Sequence, residues 1–254
     1  MSSILPRSVT SPKKFFIGSQ LLASVGNYMK DFGDNAFIIS DEFFLEKVNK
    51  EALSSIKENG LSGFVEKFNY ECTEAEVDRL GKIVVENKAN VIIGIGGGKT
   101  LDVSKAVAYY HHLPVILFPT IASTDAPCTA LSVLYKENGE FDKYLFLPQN
   151  PDMVIADTAI IASAPQRFFS AGVGDALATY FEARACYQAD GLNLVNQRPS
   201  RTGLGLAQLC FEILSENIDK AMDAVRHKIT TQALEQTIEA TIYLSGVGAE
   251  AGGL

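Results

Sequence analysis

The chain has 254 residues, of which 47% are hydrophobic, and its 22 basic and 30 acidic residues give a net charge of −8. This acidic balance disfavours nucleic acid and anionic membranes as partners. No uncharged apolar run is long enough for a transmembrane helix, and the N-terminus lacks the apolar segment of a signal peptide. The four cysteines are widely spaced without a Cys-x-x-Cys pair, which favours reduced thiols in a cytoplasmic protein over disulfides or a cysteine zinc site.

Short apolar runs alternate with helical stretches through the first part of the chain. The predicted strands lie at 36–40, 63–68, 90–98, 114–120 and 151–158. Helical stretches at 51–60, 73–88 and 100–112 separate the first four of them, and the spacing of Thr73 and Glu76 indicates a capping box. This alternation predicts a parallel sheet with crossover helices.

The segment 130–146 departs from this alternation. Two β-rich runs flank Asn138-Gly139, a dipeptide that favours tight hairpin turns. We therefore predict a β-hairpin within the α/β domain.

Only helices are predicted after Pro165, a residue that suits the start of a helix. We therefore predict two domains, an α/β domain at 1–164 and an all-α domain at 165–254. In the last predicted helix Leu234, Ile238 and Ile242 form one apolar stripe. The sequence ends soon after that helix, so we expect the stripe to face water unless a second copy of the chain covers it.

The stretch GIGGGKTLD, residues 94–102, follows a buried strand and opens a helix. It is not a triphosphatase loop, because the first glycine of Gly-x-x-x-x-Gly-Lys-Thr would have to stand at Ile93. The ordinary dinucleotide pattern Gly-x-Gly-x-x-Gly also fails, since Lys99 occupies its last glycine position. A glycine turn before a helix N-terminus still suits a pyrophosphate. A strand-to-helix turn without a ligand is the alternative.

Three segments together resemble the glycerol dehydrogenase branch of the iron-containing, or group III, alcohol dehydrogenases. They are GGGKTLDVSKA, PTIASTDAPCTALSVLY and GVGDALATYFEA, in family order and at family-like spacing. The resemblance implies a dehydroquinate synthase-like fold, with an NAD-binding domain followed by a helical domain. It also implies zinc, the NAD-dependent oxidation of glycerol to dihydroxyacetone, and a ring-shaped homo-oligomer.

The family's motifs imply the following roles by position. Asp41 matches the acidic residue that binds the adenosine ribose and disfavours the 2′-phosphate of NADP. Asp125 matches the carboxylate that contacts the substrate hydroxyls, and Asp175 matches a metal-binding aspartate. The remaining cofactor-binding positions are Gly97, Gly98, Lys99, Thr120, Ser123, Thr129, Leu131 and Tyr135.

Simpler roles remain open for the three aspartates. Asp41 follows a strand and precedes a helical stretch, so it could serve as a helix cap. Asp125 could cap a turn before Pro127. Asp175, after GVG at a predicted helix start, could also be a cap, and its assignment to a metal depends on the resemblance.

The family's zinc site needs two histidines in addition to the aspartate. The histidines of this chain are His111, His112 and His227, and none follows the segment AEAGGL, where the family pattern places them. We therefore expect a C-terminally truncated glycerol dehydrogenase whose zinc site is defective and whose turnover is impaired. The alternatives are a non-catalytic NAD-binding fragment that joins oligomers, and a related dehydroquinate synthase-like or glycerol-phosphate enzyme. The latter would need basic residues around a substrate phosphate, which STDAPCTALSVLY does not supply.

Overall fold

The computed structural model describes residues 5–253, and contacts group these residues into two compact units. The first, called the α/β unit here, comprises 13–121 and 130–160. The second, called the helical unit, comprises the described residues of 1–12, together with 122–129 and the described residues from 161 onward. The single domain boundary at 164/165 stays a prediction. Within 5–253 no helix is both long enough and apolar enough to cross a membrane.

Six parallel strands form the sheet of the α/β unit. They are β1 (Lys14–Gly18), β2 (Asn35–Ser40), β3 (Ser62–Lys67), β4 (Val91–Gly96), β5 (Val115–Pro119) and, further along the chain, β8 (Met153–Asp157). Their order across the sheet is β1-β8-β5-β4-β2-β3. The predicted parallel sheet is therefore confirmed, with the additional strand β1, which the sequence did not indicate.

Helices connect these strands. They are α1 (Val25–Met29), α2 (Leu45–Lys47) leading through a π-helical turn at Val48–Ala52 into α3 (Leu53–Glu58), α4 (Glu74–Glu86) and α5 (Gly98–His111). Parallel neighbours need such crossover connections. One face of the sheet packs on helices α1 and α3 through a fully apolar core. This core includes Leu22, Val25, Met29, Ile38, Val48, Ile56, Ile93, Ile95, Phe118 and Ile155.

The predicted hairpin is present as a separate two-stranded antiparallel sheet. Its strands are β6 (Leu131–Tyr135) and β7 (Phe141–Phe146). Gly139 has a φ of +82°, a left-handed conformation that costs glycine least, and its N–H donates to the carbonyl of Lys136 at 2.9 Å. The Asn138-Gly139 signal therefore predicted the turn correctly.

The helical unit contains long helices packed on one another. The helices from residue 158 onward are α6 (Thr158–Ser163), α7 (Gln166–Ala189), α8 (Arg201–His227), α9 (Gln232–Glu239) and α10 (Ser245–Gly252). A π-helical turn at Ala240–Leu244 joins α9 to α10, and α8 packs against α7, α9 and α10.

The expectation of a water-facing stripe on the last helix is wrong. Leu234, Ile238 and Ile242 are all fully buried. The reason is that α8 is 27 residues long and lies along both α9 and the π-helical turn. The helical unit thus covers this stripe with its own residues.

Candidate active-site residues

The glycine stretch forms the turn between β4 and α5. All six residues of β4 are buried, and α5 begins at Gly98, two residues before the predicted start at Thr100. Gly97 occupies the N-cap position in an extended conformation, with φ −81° and ψ −178°, and the cap has no side-chain hydrogen bond. The first N–H groups of a helix have no partner within it, so the start of α5 is suited to an anion.

Two glycines of this stretch are required by close packing. A Cβ on Gly94 would lie 2.5 Å from Oγ of Ser104, and one on Gly96 would lie 2.6 Å from Cβ of Thr100. Neither glycine has a positive φ. Gly94 and Gly96 therefore allow β4 and α5 to pack closely. Neither position requires a left-handed backbone conformation.

Asp41 directly follows β2, the sheet neighbour of β4. The two strands pair with Ser40 opposite Ile95, so Asp41 and Gly97 leave the sheet at the same edge. The strand order reverses between β2 and β4, because the chain continues from β2 to β3 on one side of the sheet and from β4 to β5 on the other. Nucleotides bind at such a switch point in open parallel sheets.

The Asp41 carboxyl group is half-buried at this edge. Burial raises its pKa, and nearby N–H groups of Phe44, Phe43 and Gly97 lower it in part. Within the described residues Oδ1 is buried without a hydrogen-bond partner, and the side chain makes no capping bond to the turn at Glu42–Phe44. The carboxyl group thus has one buried oxygen whose hydrogen bond is not made by the described residues, and the helix-cap role lacks its hydrogen bond.

Lys99 and Tyr135, both assigned to the cofactor by the resemblance, lie together. Nζ of Lys99 is 2.7 Å from Oε2 of Glu71 and 4.9 Å from the centroid of the Tyr135 ring. Burial raises the pKa of Tyr135, and the Lys99 ammonium lowers it in part. Glu71, which the sequence did not single out, therefore orients a lysine at the first turn of α5.

The other cofactor-binding candidates of the α/β unit flank this turn. Thr120 follows β5, is buried, and its N–H donates to the carbonyl of Gly96 at 3.0 Å. Leu131 and Tyr135 are the first and last residues of β6 and are half-buried. The α/β unit thus carries Asp41, Gly97, Gly98, Lys99, Thr120, Leu131 and Tyr135.

The remaining candidates belong to the helical unit, where segment 122–129 contributes Ser123, Asp125 and Thr129. Asp125 precedes a short 3₁₀ turn at Ala126–Cys128 without capping it through its side chain. Its Oδ2 instead accepts a hydrogen bond from Oγ of Ser245 at 3.1 Å. The carboxylate is therefore held by α10, and the turn-cap role lacks its hydrogen bond.

Asp175 lies in the interior of α7, so the predicted position at a helix start is wrong. The helix already begins at Gln166, because Pro165, at its N-cap, separates it from α6. Partial burial raises the pKa of Asp175, and a hydrogen bond from the backbone N–H of Asp125 lowers it in part. Asp125 and Asp175, separated by fifty positions in the numbering, are thus neighbours within the helical unit.

Glycines make this neighbourhood possible. A Cβ on Gly172 of α7 would lie 2.1 Å from the carbonyl oxygen of Ala122, and one on Gly246 of α10 would lie 3.0 Å from that of Asp125. Segment 122–129 therefore packs directly on the backbones of two helices, which fixes the position of Asp125.

The described residues do not complete a metal site. Within 5–253 no group of three or more His, Cys, Asp or Glu side chains is placed to hold a metal ion. His111 ends α5, His112 follows it with a positive φ, and Nδ1 of His227 lies 2.8 Å from the carbonyl of Asp223. Of the zinc ligands that the resemblance implies, the candidate among the described residues is Asp175.

A dinucleotide fits the described residues better. The buried Oδ1 of Asp41 suits a ribose hydroxyl, and the uncapped start of α5 suits a pyrophosphate. Both features belong to the α/β unit.

Several residues near these candidates were not identified from the sequence. Ser245 holds Asp125 and is itself 2.8 Å from Oγ1 of Thr179. Asp102 and Lys105 form a buried ion pair in α5. The pattern LDVSK, with opposite charges three positions apart beside apolar residues, is the one local signal that could have indicated a buried pair.

Comparison with known proteins agrees with this architecture. The family model for iron-containing alcohol dehydrogenase matches residues 12–158. Glycerol dehydrogenase from Pseudomonas putida is 47% identical over 250 residues, which cover 98% of this chain and 68% of that protein. Glycerol dehydrogenase from Thermotoga maritima is 47% identical over 249 residues, covering 96% of this chain and 66% of that protein.

A solved structure shows the same similarity in three dimensions. The crystal structure of glycerol dehydrogenase from Schizosaccharomyces pombe has a TM-score of 0.92 and 33% sequence identity, and the match covers 98% of this chain and 64% of that one. The fold is therefore that of the group III alcohol dehydrogenases. The chain belongs to the iron-containing alcohol dehydrogenase family, whose members are oxidoreductases, and the resemblance to its glycerol dehydrogenases is confirmed.

Proposed function

We propose that this chain uses NAD to oxidise a small vicinal diol, with glycerol as the substrate and dihydroxyacetone as the product. The observation that carries the proposal is its 47% identity to a glycerol dehydrogenase along 98% of the chain. The buried acceptor of Asp41 beside the start of α5 supports the choice of cofactor.

In this proposal the α/β unit binds the dinucleotide. Asp41 accepts hydrogen bonds from the ribose hydroxyls, and its charge repels a 2′-phosphate. The N–H groups at Gly98 and Lys99, with the Lys99 ammonium, bind the pyrophosphate. Leu131 and Tyr135 contact the nicotinamide half, and Thr120 adds a further contact within this unit. When bound, NAD accepts a hydride from the substrate carbon.

Asp125 orients the substrate in this proposal. Its Oδ2 is already held by Ser245, so its orientation is fixed before the substrate arrives. A carboxylate accepts hydrogen bonds from two neighbouring hydroxyls, which favours vicinal diols over simple alcohols.

Zinc remains an expectation from the family, with Asp175 as one ligand. The described residues bring no group of three donors together, so we route no step through a metal ion. Impaired turnover likewise stays a prediction, as does assembly into a cytoplasmic homo-oligomer.

Calorimetric titration with NAD, followed by an assay of NADH formation with glycerol, tests the proposal. The assay should be run with added zinc and with a chelator, and 1,3-propanediol is the matched substrate without neighbouring hydroxyls. We expect NAD binding, and any turnover should prefer glycerol. NAD binding with no turnover under any condition would favour the alternative of a non-catalytic, oligomer-forming chain, which light scattering would then examine. No NAD binding would contradict the proposal.

A further inference from the structure

Helix α5 contains a buried ion pair that the proposed function does not use. Nζ of Lys105 lies 2.9 Å from Oδ1 of Asp102, and the two side chains are 0% and 8% exposed. The charges are three positions apart in a helix whose residues from Thr100 to Ala108 are all buried. A pair this deep must be matched by further hydrogen bonds, because removing charges from water is costly.

The further hydrogen bonds of Asp102 and Lys105 are made with residues of strand β6. Lys105 Nζ donates to the carbonyl oxygen of Leu131. The N–H of Val133 donates to Oδ2 of Asp102 at 3.2 Å, and Oγ of Ser132 donates to the Asp102 carbonyl at 2.9 Å. Three consecutive residues of β6 are thus bonded to two residues of α5.

Besides these bonds, strand β6 contacts α5 through the Tyr135 ring, which lies against Nζ of Lys99. Among the described residues it pairs in a sheet with β7 alone, outside the six-stranded sheet. A single bridge joins Tyr135 to Thr73, where the Tyr135 N–H donates to the carbonyl of Cys72 at 2.9 Å. The position of β6 relative to α5 therefore depends strongly on Asp102 and Lys105.

The two elements joined in this way carry different parts of the proposed cofactor site. The first turn of α5 holds Gly98 and Lys99, which the proposed function assigns to the pyrophosphate. Leu131 and Tyr135 on β6 are assigned to the nicotinamide half. We infer that Asp102 and Lys105 are positioning residues that set the nicotinamide-binding strand relative to the pyrophosphate-binding helix. This inference rests on the proposed function.

If Asp102 and Lys105 served only the stability of the fold, a different result would be expected. Replacing a buried ion pair by apolar residues of similar volume is often neutral or stabilising, whereas removing one partner leaves an uncompensated charge. The informative variant therefore removes both charges, as Asp102→Leu with Lys105→Met. This variant keeps the packing and loses the side-chain hydrogen bonds to Leu131 and Val133, while the bond from Ser132 to the backbone carbonyl of residue 102 remains.

Titration with NAD and with ADP-ribose separates the two roles. ADP-ribose has the adenosine ribose and the pyrophosphate but lacks the nicotinamide. In the double variant we expect the Kd for NAD to rise roughly tenfold, which corresponds to about 1.4 kcal/mol, while the Kd for ADP-ribose changes less than about twofold. Lys143→Met is the matched control, since Lys143 makes an exposed ion pair from the same hairpin to Glu74, and both affinities should be unchanged.

Amide exchange gives a readout that does not depend on the cofactor. The amides of Val133 and Tyr135 should exchange faster in the double variant than in the wild type, while amides of β4 should not change. Equal losses of NAD and ADP-ribose affinity, or unchanged NAD affinity, would overturn the inference. If the wild type binds no NAD, the proposed function fails, and unchanged exchange at Val133 would then separately overturn the positioning role.

If the double variant does not fold, a milder variant tests the attachment of β6 to α5. Ser132→Ala removes one hydrogen bond between β6 and α5 and leaves the charges paired. It should raise the Kd for NAD by about two- to threefold and leave ADP-ribose binding unchanged, as expected for one neutral hydrogen bond. An effect of the same size on both ligands would contradict the positioning role.

Discussion

Asp41 combines partial burial, a raised pKa and a buried oxygen without a partner among the described residues. A carboxylate kept in this state costs stability, which a ligand hydroxyl would recover by supplying the missing hydrogen bond. At the scale of single residues, this is the feature of the α/β unit that most specifically indicates a ribose.

Asp41→Asn should weaken NAD binding and reduce discrimination against NADP. The amide accepts weaker hydrogen bonds and no longer repels a phosphate. Because hydrogen bonds to a charged group contribute about 1.5–3 kcal/mol, the Kd for NAD should rise by at least about tenfold. Calorimetric titration of both nucleotides measures this.

Glu42→Gln is the matched control for that experiment. Glu42 is adjacent, but it is exposed and pairs with Lys67 at 3.1 Å. Its substitution should leave the ratio of NAD to NADP affinity unchanged. If Asp41→Asn also left that ratio unchanged, Asp41 would not be the ribose ligand.

Side-chain partners were the hardest feature to predict from the sequence. Thr73 was predicted as a cap, and its hydroxyl accepts from the N–H of Glu76 at 3.1 Å. The reciprocal half of the capping box is absent among the described residues, because Glu76 instead accepts from Asn69 and Arg79. Ser245 escaped notice because it contacts Asp125 across 120 positions, a tertiary contact that no local pattern reveals.

At the scale of elements, the packing of β4 on α5 gives a direct stability test. Gly94→Ala would bring a Cβ within 2.5 Å of Ser104 Oγ, so strand or helix must shift. Overpacking of this kind costs about 1–3 kcal/mol, which chemical denaturation measures.

A second substitution identifies the cause of that loss. Ser104→Gly in the Gly94→Ala background removes the clashing side chain and should restore part of the stability. Gly205→Ala in α8 is the control, because nothing lies within 4 Å of its added Cβ, and it should stabilise the helix by about 0.5–1 kcal/mol. Additive rather than compensating effects of the Gly94 and Ser104 changes would show that the two residues do not determine the spacing.

The buried stripe of the helical unit makes the second prediction at this scale. Ile238→Ala should reduce the free energy of unfolding by about 2–5 kcal/mol, because it opens a cavity against α8. Leu209→Ala is the comparison, since Leu209 is 43% exposed. Equal losses in thermal unfolding of the two variants would indicate that the stripe is not covered as described.

Secondary-structure elements with a clear hydrophobic pattern or a strong turn signal were predicted well. Elements without such a signal were missed or misplaced. The buried strands and the Asn138-Gly139 hairpin follow from local composition. Strand β1 has five residues and pairs only with β8 within the described chain, so its existence depends on a partner far along the sequence. The start of α5 was placed too late because consecutive glycines are typical of loops, whereas here Gly98 already belongs to the helix.

At the scale of the whole molecule, we propose that the α/β unit holds NAD at the start of α5. Each unit has its own set of buried residues, and the nucleotide-binding candidates Asp41, Gly98 and Lys99 belong to the first. Ligand binding stabilises the native state against any opening that destroys the binding site, by about 2.7 kcal/mol at a concentration one hundred times the Kd. Regions that NAD does not contact should gain much less.

Hydrogen exchange measured by mass spectrometry, with and without saturating NAD, tests this claim most directly. NAD should slow exchange at the amides of Gly98, Lys99 and Thr100, and in the turn that follows β2. Exchange in the middle of α8 should not change, which provides an internal control. Saturation with NAD that leaves the first turn of α5 unprotected would contradict the account.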